Sequence, residues 1–96
     1  MLPKYRAPTH PGEILEEDFL KPMEISQSRL AEHLHCKPGK VNEIIRGKRG
    51  ITPEMALSLS DALGTSAEFW LNLQSNYDLW HAQQEHESIN KIARTG

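Results

Sequence analysis

The chain has 96 residues, 38% of them hydrophobic and 25% charged, with a formal net charge of −2. That length bounds one domain, 1–96, with a modest core, and the composition is that of an ordinary soluble protein rather than a disordered one. No apolar run approaches the roughly 18 residues of a membrane span, the first residues lack an apolar leader region, and the single cysteine, Cys36, permits no internal disulfide and points to a reducing cytoplasm.

Helix signals follow one another along the chain, and no period-2 alternation marks a strand. Thr9 reads as the cap of a first helix, with Pro11 in its first turn and Glu13 where the helix dipole favours an acid. Ile14, Leu15, Phe19 and Leu20 are its apolar residues, and Pro22 is expected to stop it. Ser26 caps a second helix with Leu30, Ala31 and Leu34 on one stripe. A turn at His35, Cys36 and Lys37 leads to a third, which Pro38 opens and in which Val41, Ile44 and Ile45 face inward. Gly47 is its expected left-handed terminator.

Thr52, Pro53 and Glu54 cap, start and charge a fourth helix, whose buried face is Met55, Ala56, Leu59, Ala62 and Leu63, and Gly64 ends it. Ser66 caps a fifth that carries Phe69, Trp70, Leu73, Tyr77 and Trp80. Past Ala82 the sequence turns polar, and the helix is expected to fray there.

The informative segment is Ile25 to Arg49, in which two short helices joined by a tight turn, over about residues 26–47, make the helix-turn-helix pattern. Its end is basic: Lys37, Lys40, Arg46, Lys48 and Arg49 stand against one acid, Glu43, while Glu13, Glu16, Glu17 and Asp18 gather elsewhere. A basic face on an acidic body can hold DNA at one place and repel it at others. Leu30, Ala31, Cys36, Val41 and Ile44 are then structural, the small Ala31 letting the helices approach and Cys36 filling the buried turn.

Lys37, Gly39, Lys40, Asn42, Glu43 and Arg46 face outward. Asn42 suits a bidentate pair with adenine and Lys40 suits guanine N7 and O6. Arg46, Lys48 and Arg49 suit phosphates, as do Gln27 and Ser28 beside the start of the second helix.

Four motifs carry a resemblance. They are His10-Pro11-Gly12-Glu13-Ile14-Leu15, Ile25-Ser26-Gln27 with Leu30-Ala31, the run from Val41 through Gly47 to Pro53, and the run from Gly64 through Phe69-Trp70 to Gln74. Together they resemble the HigA/VapI antitoxin family of Xre/Cro-type helix-turn-helix repressors over residues 10–80. The resemblance implies an all-α, five-helix, lambda-repressor-like fold with a C-terminal helical extension from about residue 66. It implies a homodimer that binds double-stranded operator DNA and represses its own operon, a HigB-type ribonuclease toxin as protein partner, and no cofactor. Where many members carry an arginine early in the recognition helix, this chain has Gly39.

Other readings fare worse. His33, His35 and Cys36 are close in sequence, but residues two apart on a helix face apart, so no metal site is expected there. No nucleophile stands beside a base and no glycine loop cradles a phosphate, so an enzyme is not expected. The alternatives that remain are a stand-alone Xre-type regulator without a toxin and a helical protein-interaction module. In the fifth helix Trp70, Leu73, Tyr77 and Trp80 recur at heptad-like spacing. Trp70 and Leu73 belong to the core, whereas Tyr77 and Trp80 lie beyond it and are the expected dimer interface.

Overall fold

Hydroxyl side chains start three of the helices where the sequence places them. Ser26 Oγ accepts from the Arg29 N–H at 3.0 Å, Thr52 Oγ1 from Met55 at 3.2 Å and Ser66 Oγ from Phe69 at 3.0 Å. Each satisfies an amide that a helix start leaves without an internal partner. In the computed structural model, which describes residues 7–93, five helices follow one another and no strand occurs among the described residues. They are α1 (11–23), α2 (Gln27–His33), α3 (Pro38–Ile45), α4 (Pro53–Leu63) and α5 (Ala67–Glu85). The expectation about a leader region bears on the first residues, of which 1–6 lie outside the described residues.

The first helix departs from expectation at both ends. Its cap is His10 and not Thr9: His10 Nδ1 accepts from the Gly12 N–H at 2.9 Å, with Pro11 in the first turn. The imidazole accepts as a hydroxyl would, and its ring also packs edge-on against Tyr77 with 4.8 Å between centroids. At the other end, α1 runs past Pro22 to Met23. Residues Leu15–Leu20 are wound as a π-helix, in which the Lys21 N–H donates five residues back to the Glu16 carbonyl. The wider turn accommodates a proline ring that would press on the carbonyl four residues earlier in a regular α-helix. Glu24, at φ 55°, then closes the helix.

Burial holds the His10 pKa below the usual 6.5, with Asp78 and Glu13 opposing that shift only in part. A histidine whose folded-state pKa is depressed contributes stability above its unfolded pKa and loses it as pH falls. Thermal melts should therefore drop between about pH 7.5 and about pH 5 more in the wild type than in His10→Asn, whose amide oxygen caps without titrating. The same pH dependence in both proteins would show that His10 is not a source of acid sensitivity.

Two turns in the helix-turn-helix end alike. After α2, His35 adopts φ 59°, its N–H donates to Glu32 at 3.2 Å, and the Cys36 N–H reaches Ala31 at 2.9 Å. After α3, Gly47 adopts φ 74°, its N–H donates to Ile44 at 3.1 Å, and the Lys48 N–H reaches Glu43 at 2.8 Å. Both are Schellman closures. Glycine takes the left-handed conformation freely, whereas a side chain such as that of His35 costs roughly 1–2 kcal/mol there. Helical periodicity places a turn at His35 but carries no signal for its left-handed backbone.

Every helix contributes to the core. Leu15 and Leu20 come from α1, Leu30 and Ala31 from α2, Val41 and Ile44 from α3, Met55, Ala56 and Leu59 from α4, Trp70 from α5, and Ile51 from the α3–α4 loop. Among the described residues no charged or polar side chain is buried. Cys36 is only half-buried at the edge of this cluster, with Leu34 and Ile45, and Ala62 and Leu63 are likewise half-buried on α4. The polar stretch after Ala82 does not end α5, which continues to Glu85 with Gln84 Nε2 donating to the Trp80 carbonyl at 3.1 Å.

Candidate nucleic-acid interface

Helix α3 is seated by what lies beneath it. Val41 and Ile44 anchor one side in the core, and the α1 N-terminus lies directly against its backbone. A Cβ on Gly12 would stand 2.6 Å from the Ile44 carbonyl carbon and 2.9 Å from Ile45 Cα, with the Ile44 oxygen nearer still. Only glycine lets the two helices meet this closely. Its opposite side is consequently turned outward.

On that outward side the structure brings together Gly39, Asn42, Glu43 and Arg46, in keeping with the 3.6-residue period. Gly39 and Arg46 are exposed, and Asn42 and Glu43 are half-buried. Lys37 is the exposed N-cap residue of α3, although it makes no side-chain cap bond. Lys40 is displaced from the group. It is half-buried and borders a shallow cleft with His35, Cys36, Thr52 and Glu54, so it flanks the outward face rather than occupying its centre.

Lys48 and Arg49 are exposed in the loop after α3. Arg49 Nη2 lies 3.4 Å from Glu43 Oε2, an exposed pair that offsets part of the positive charge. The loop has a tether that no local pattern announces. Gln74 Oε1, on α5, accepts from the Ile51 N–H at 2.7 Å, and Gln74 Nε2 donates to Asp78 at 2.9 Å. Gly50 makes room for that amide, since a Cβ there would come within 2.9–3.0 Å of it.

Ser28 is exposed in the first turn of α2. Gln27, expected beside a phosphate, has two side-chain partners of its own. Its Oε1 accepts from Asn42 Nδ2 at 3.0 Å and its Nε2 donates to Glu16 Oε2 at 3.3 Å. Glu16, one of the acids expected to gather away from the basic end, therefore stands at the edge of the site. Hydrophobic periodicity carries no signal for a contact between side chains 11 residues apart.

Two further expectations change in detail. Helix α2 ends at His33, and the left-handed turn sets His33 and His35 beside one open depression with Arg29 and Glu32. The two histidines are thus neighbours, but no group of three metal-ligating side chains comes together among the described residues. Tyr77 is not left uncovered by the fold, because its ring packs on His10 and lies 4.3 Å from the His81 ring. Trp80 is half-buried beside His81, with 5.1 Å between centroids. Beyond it the α5 residues are exposed, and no helix among those described is long and apolar enough to cross a membrane.

Comparison with known proteins places this arrangement. A helix-turn-helix family model matches residues 17–70. The chain is 52% identical over 83 residues to virulence-associated protein I of Dichelobacter nodosus, covering 86% of this chain and 77% of that protein. Among solved structures, antitoxin GraA superposes with a TM-score of 0.86 at 43% identity, over 91% of this chain and 99% of that one. Antitoxin HigA of Pseudomonas aeruginosa, solved with the higBA promoter, superposes with a TM-score of 0.80 at 44% identity, over 88% and 99%.

Proposed function

Because the chain belongs to the Xre-type helix-turn-helix family, in the branch of the HigA and VapI antitoxins, we propose that it is an antitoxin that binds operator DNA as a homodimer and represses its own operon. The observation that carries this reading is the outward face of α3, where Asn42, Glu43 and Arg46 stand together above a core that fixes the helix rigidly. A similar protein was solved on promoter DNA, at 44% identity over nearly its whole length.

In the roles we assign, α3 lies in the major groove and Asn42 reads a base edge. Arg46, Lys48 and Arg49, with Lys37 and Ser28, hold phosphates. Lys40 serves a phosphate at the flank better than guanine at the centre, and Gly39 lets the helix backbone come close to the duplex. The second N–H of Gln27 Nε2 remains for a phosphate. Tyr77 and Trp80 contribute to the dimer contact at the rim of the packing with His10 and His81. The partner is a HigB-type ribonuclease toxin, the compartment is the cytoplasm, and the whole chain acts as one binding domain without catalysis.

Selection from a randomised duplex library tests the reading. The wild type should enrich a two-fold symmetric site with half-sites about 34–36 Å apart. Asn42→Ala should lose about 1–3 kcal/mol at one base position, and Lys48→Ala should weaken all duplexes alike and lower the salt dependence by about one ion. Enrichment of no sequence, with monomers in sedimentation equilibrium, would leave a protein-interaction module in its place.

A further inference from the structure

We propose that Glu16, on α1 and outside the helix-turn-helix, is a positioning residue for base readout, fixing through Gln27 which way round the Asn42 amide faces the DNA. The inference rests on the reading of α3 as the base-contacting helix. It starts from the three side chains that line up across three helices: Glu16 on α1, Gln27 on α2 and Asn42 on α3, joined at 3.3 and 3.0 Å.

The line has a direction, and Glu16 sets it. A primary amide presents an acceptor and a donor of nearly equal size, so Gln27 or Asn42 alone could sit either way round. An ionised carboxylate can only accept. Facing Glu16, Gln27 must turn its NH2 toward α1, which leaves Oε1 directed at α3. Asn42 can meet that oxygen only with its own NH2. Its Oδ1 is then held on the side away from Gln27, with one N–H of Nδ2 still unspent.

That order matters to a base. Adenine offers a donor (N6–H) and an acceptor (N7) side by side in the major groove, whereas guanine offers two acceptors. An Asn42 whose acceptor is fixed away from α2 pairs with adenine in one orientation only, its N6 amino group lying away from α2. Without the carboxylate, the two amides can flip together, and the end of the line no longer distinguishes the orientations. Glu16 itself need never touch the duplex.

The test compares Glu16→Gln with Asp18→Asn, which removes the same charge from an exposed position of α1 two residues on. Both variants should bind non-specific DNA slightly more tightly, since each removes one repelling charge. Only Glu16→Gln should lose base preference, by about 3- to 10-fold, at the single position where Asn42→Ala also loses it. Its melting temperature should match that of Asp18→Asn.

A second measurement needs no DNA. In the free wild type, the Asn42 side-chain NH2 should exchange with water more slowly than that of exposed Asn72, and the difference should shrink in Glu16→Gln, where the amide pair spends part of its time reversed. An unchanged preference profile in Glu16→Gln, one flattened at every position, or an Asn42 amide that exchanges like Asn72 in the wild type would overturn the proposal. A wild type without base preference, or an Asn42→Ala variant with the wild-type profile, would overturn the reading of α3 and this proposal together.

Discussion

Gly12→Ala should remove a large part of the domain's stability, and weaken operator binding with it. The added methyl group would meet the Ile44 carbonyl and Ile45 Cα, which are backbone atoms of a helix anchored in the core by Val41 and Ile44. A flexible side chain could swing away from such a contact, but a helix backbone can only translate. Overpacking of an interior commonly costs about 1–3 kcal/mol even when side chains can shift. With none able to do so, the loss here should exceed about 3 kcal/mol, a large part of the stability of so small a domain. Circular dichroism melts of the purified variant give the answer. A melting temperature within a few degrees of wild type would mean that α1 can ride over α3 without harm.

Trp70→Ala is expected to have the second large effect, through a void rather than a clash. Trp70 is fully buried, packs against Phe19 and Phe69 at 5.3 and 5.0 Å between centroids, and donates from Nε1 to Thr65 Oγ1 at 2.7 Å. Removing a buried tryptophan costs about 3–5 kcal/mol, which for a domain of this size lowers the melting temperature by very roughly 15–30 °C. Trp70→Phe should lose much less, since most of the volume stays and Thr65, whose hydroxyl loses its donor, is only half-buried. Equal losses in the two variants would assign the effect to the indole hydrogen bond instead of the packing.

What could be read from the sequence was what neighbouring residues decide among themselves. Ser26, Thr52 and Ser66 cap because a hydroxyl three residues before an amide needs nothing else. Gly47 and Gly64 terminate because glycine accepts a left-handed backbone, and the stripe of Leu30, Ala31, Val41 and Ile44 forms the base of the helix-turn-helix as its spacing requires. The misses are decided by partners far along the chain. His10 displaces Thr9 as a cap partly because Tyr77 is there to receive its ring. Pro22 stays inside α1 because the turn before it widens, which no local rule announces. The candidate interface divides the same way: periodicity indicates which side of α3 faces out, but not that Gln27 and Glu16 engage Asn42, or that Gln74 holds the following loop.

The open space around Gly39 has a consequence for how such a protein changes over generations. Nothing lies within 4 Å of the position its Cβ would take, and it sits on an α-helix where most other residues are favoured over glycine by up to about 1 kcal/mol. Side chains other than proline meet no clash there, and many should be mildly stabilising. A mutation that installs a long side chain at residue 39 would leave the core untouched while adding a new group to the face proposed to read DNA. The face proposed to read DNA can therefore change one residue at a time, while selection for a stable fold acts elsewhere, on Gly12, Trp70 and the residues packed beneath.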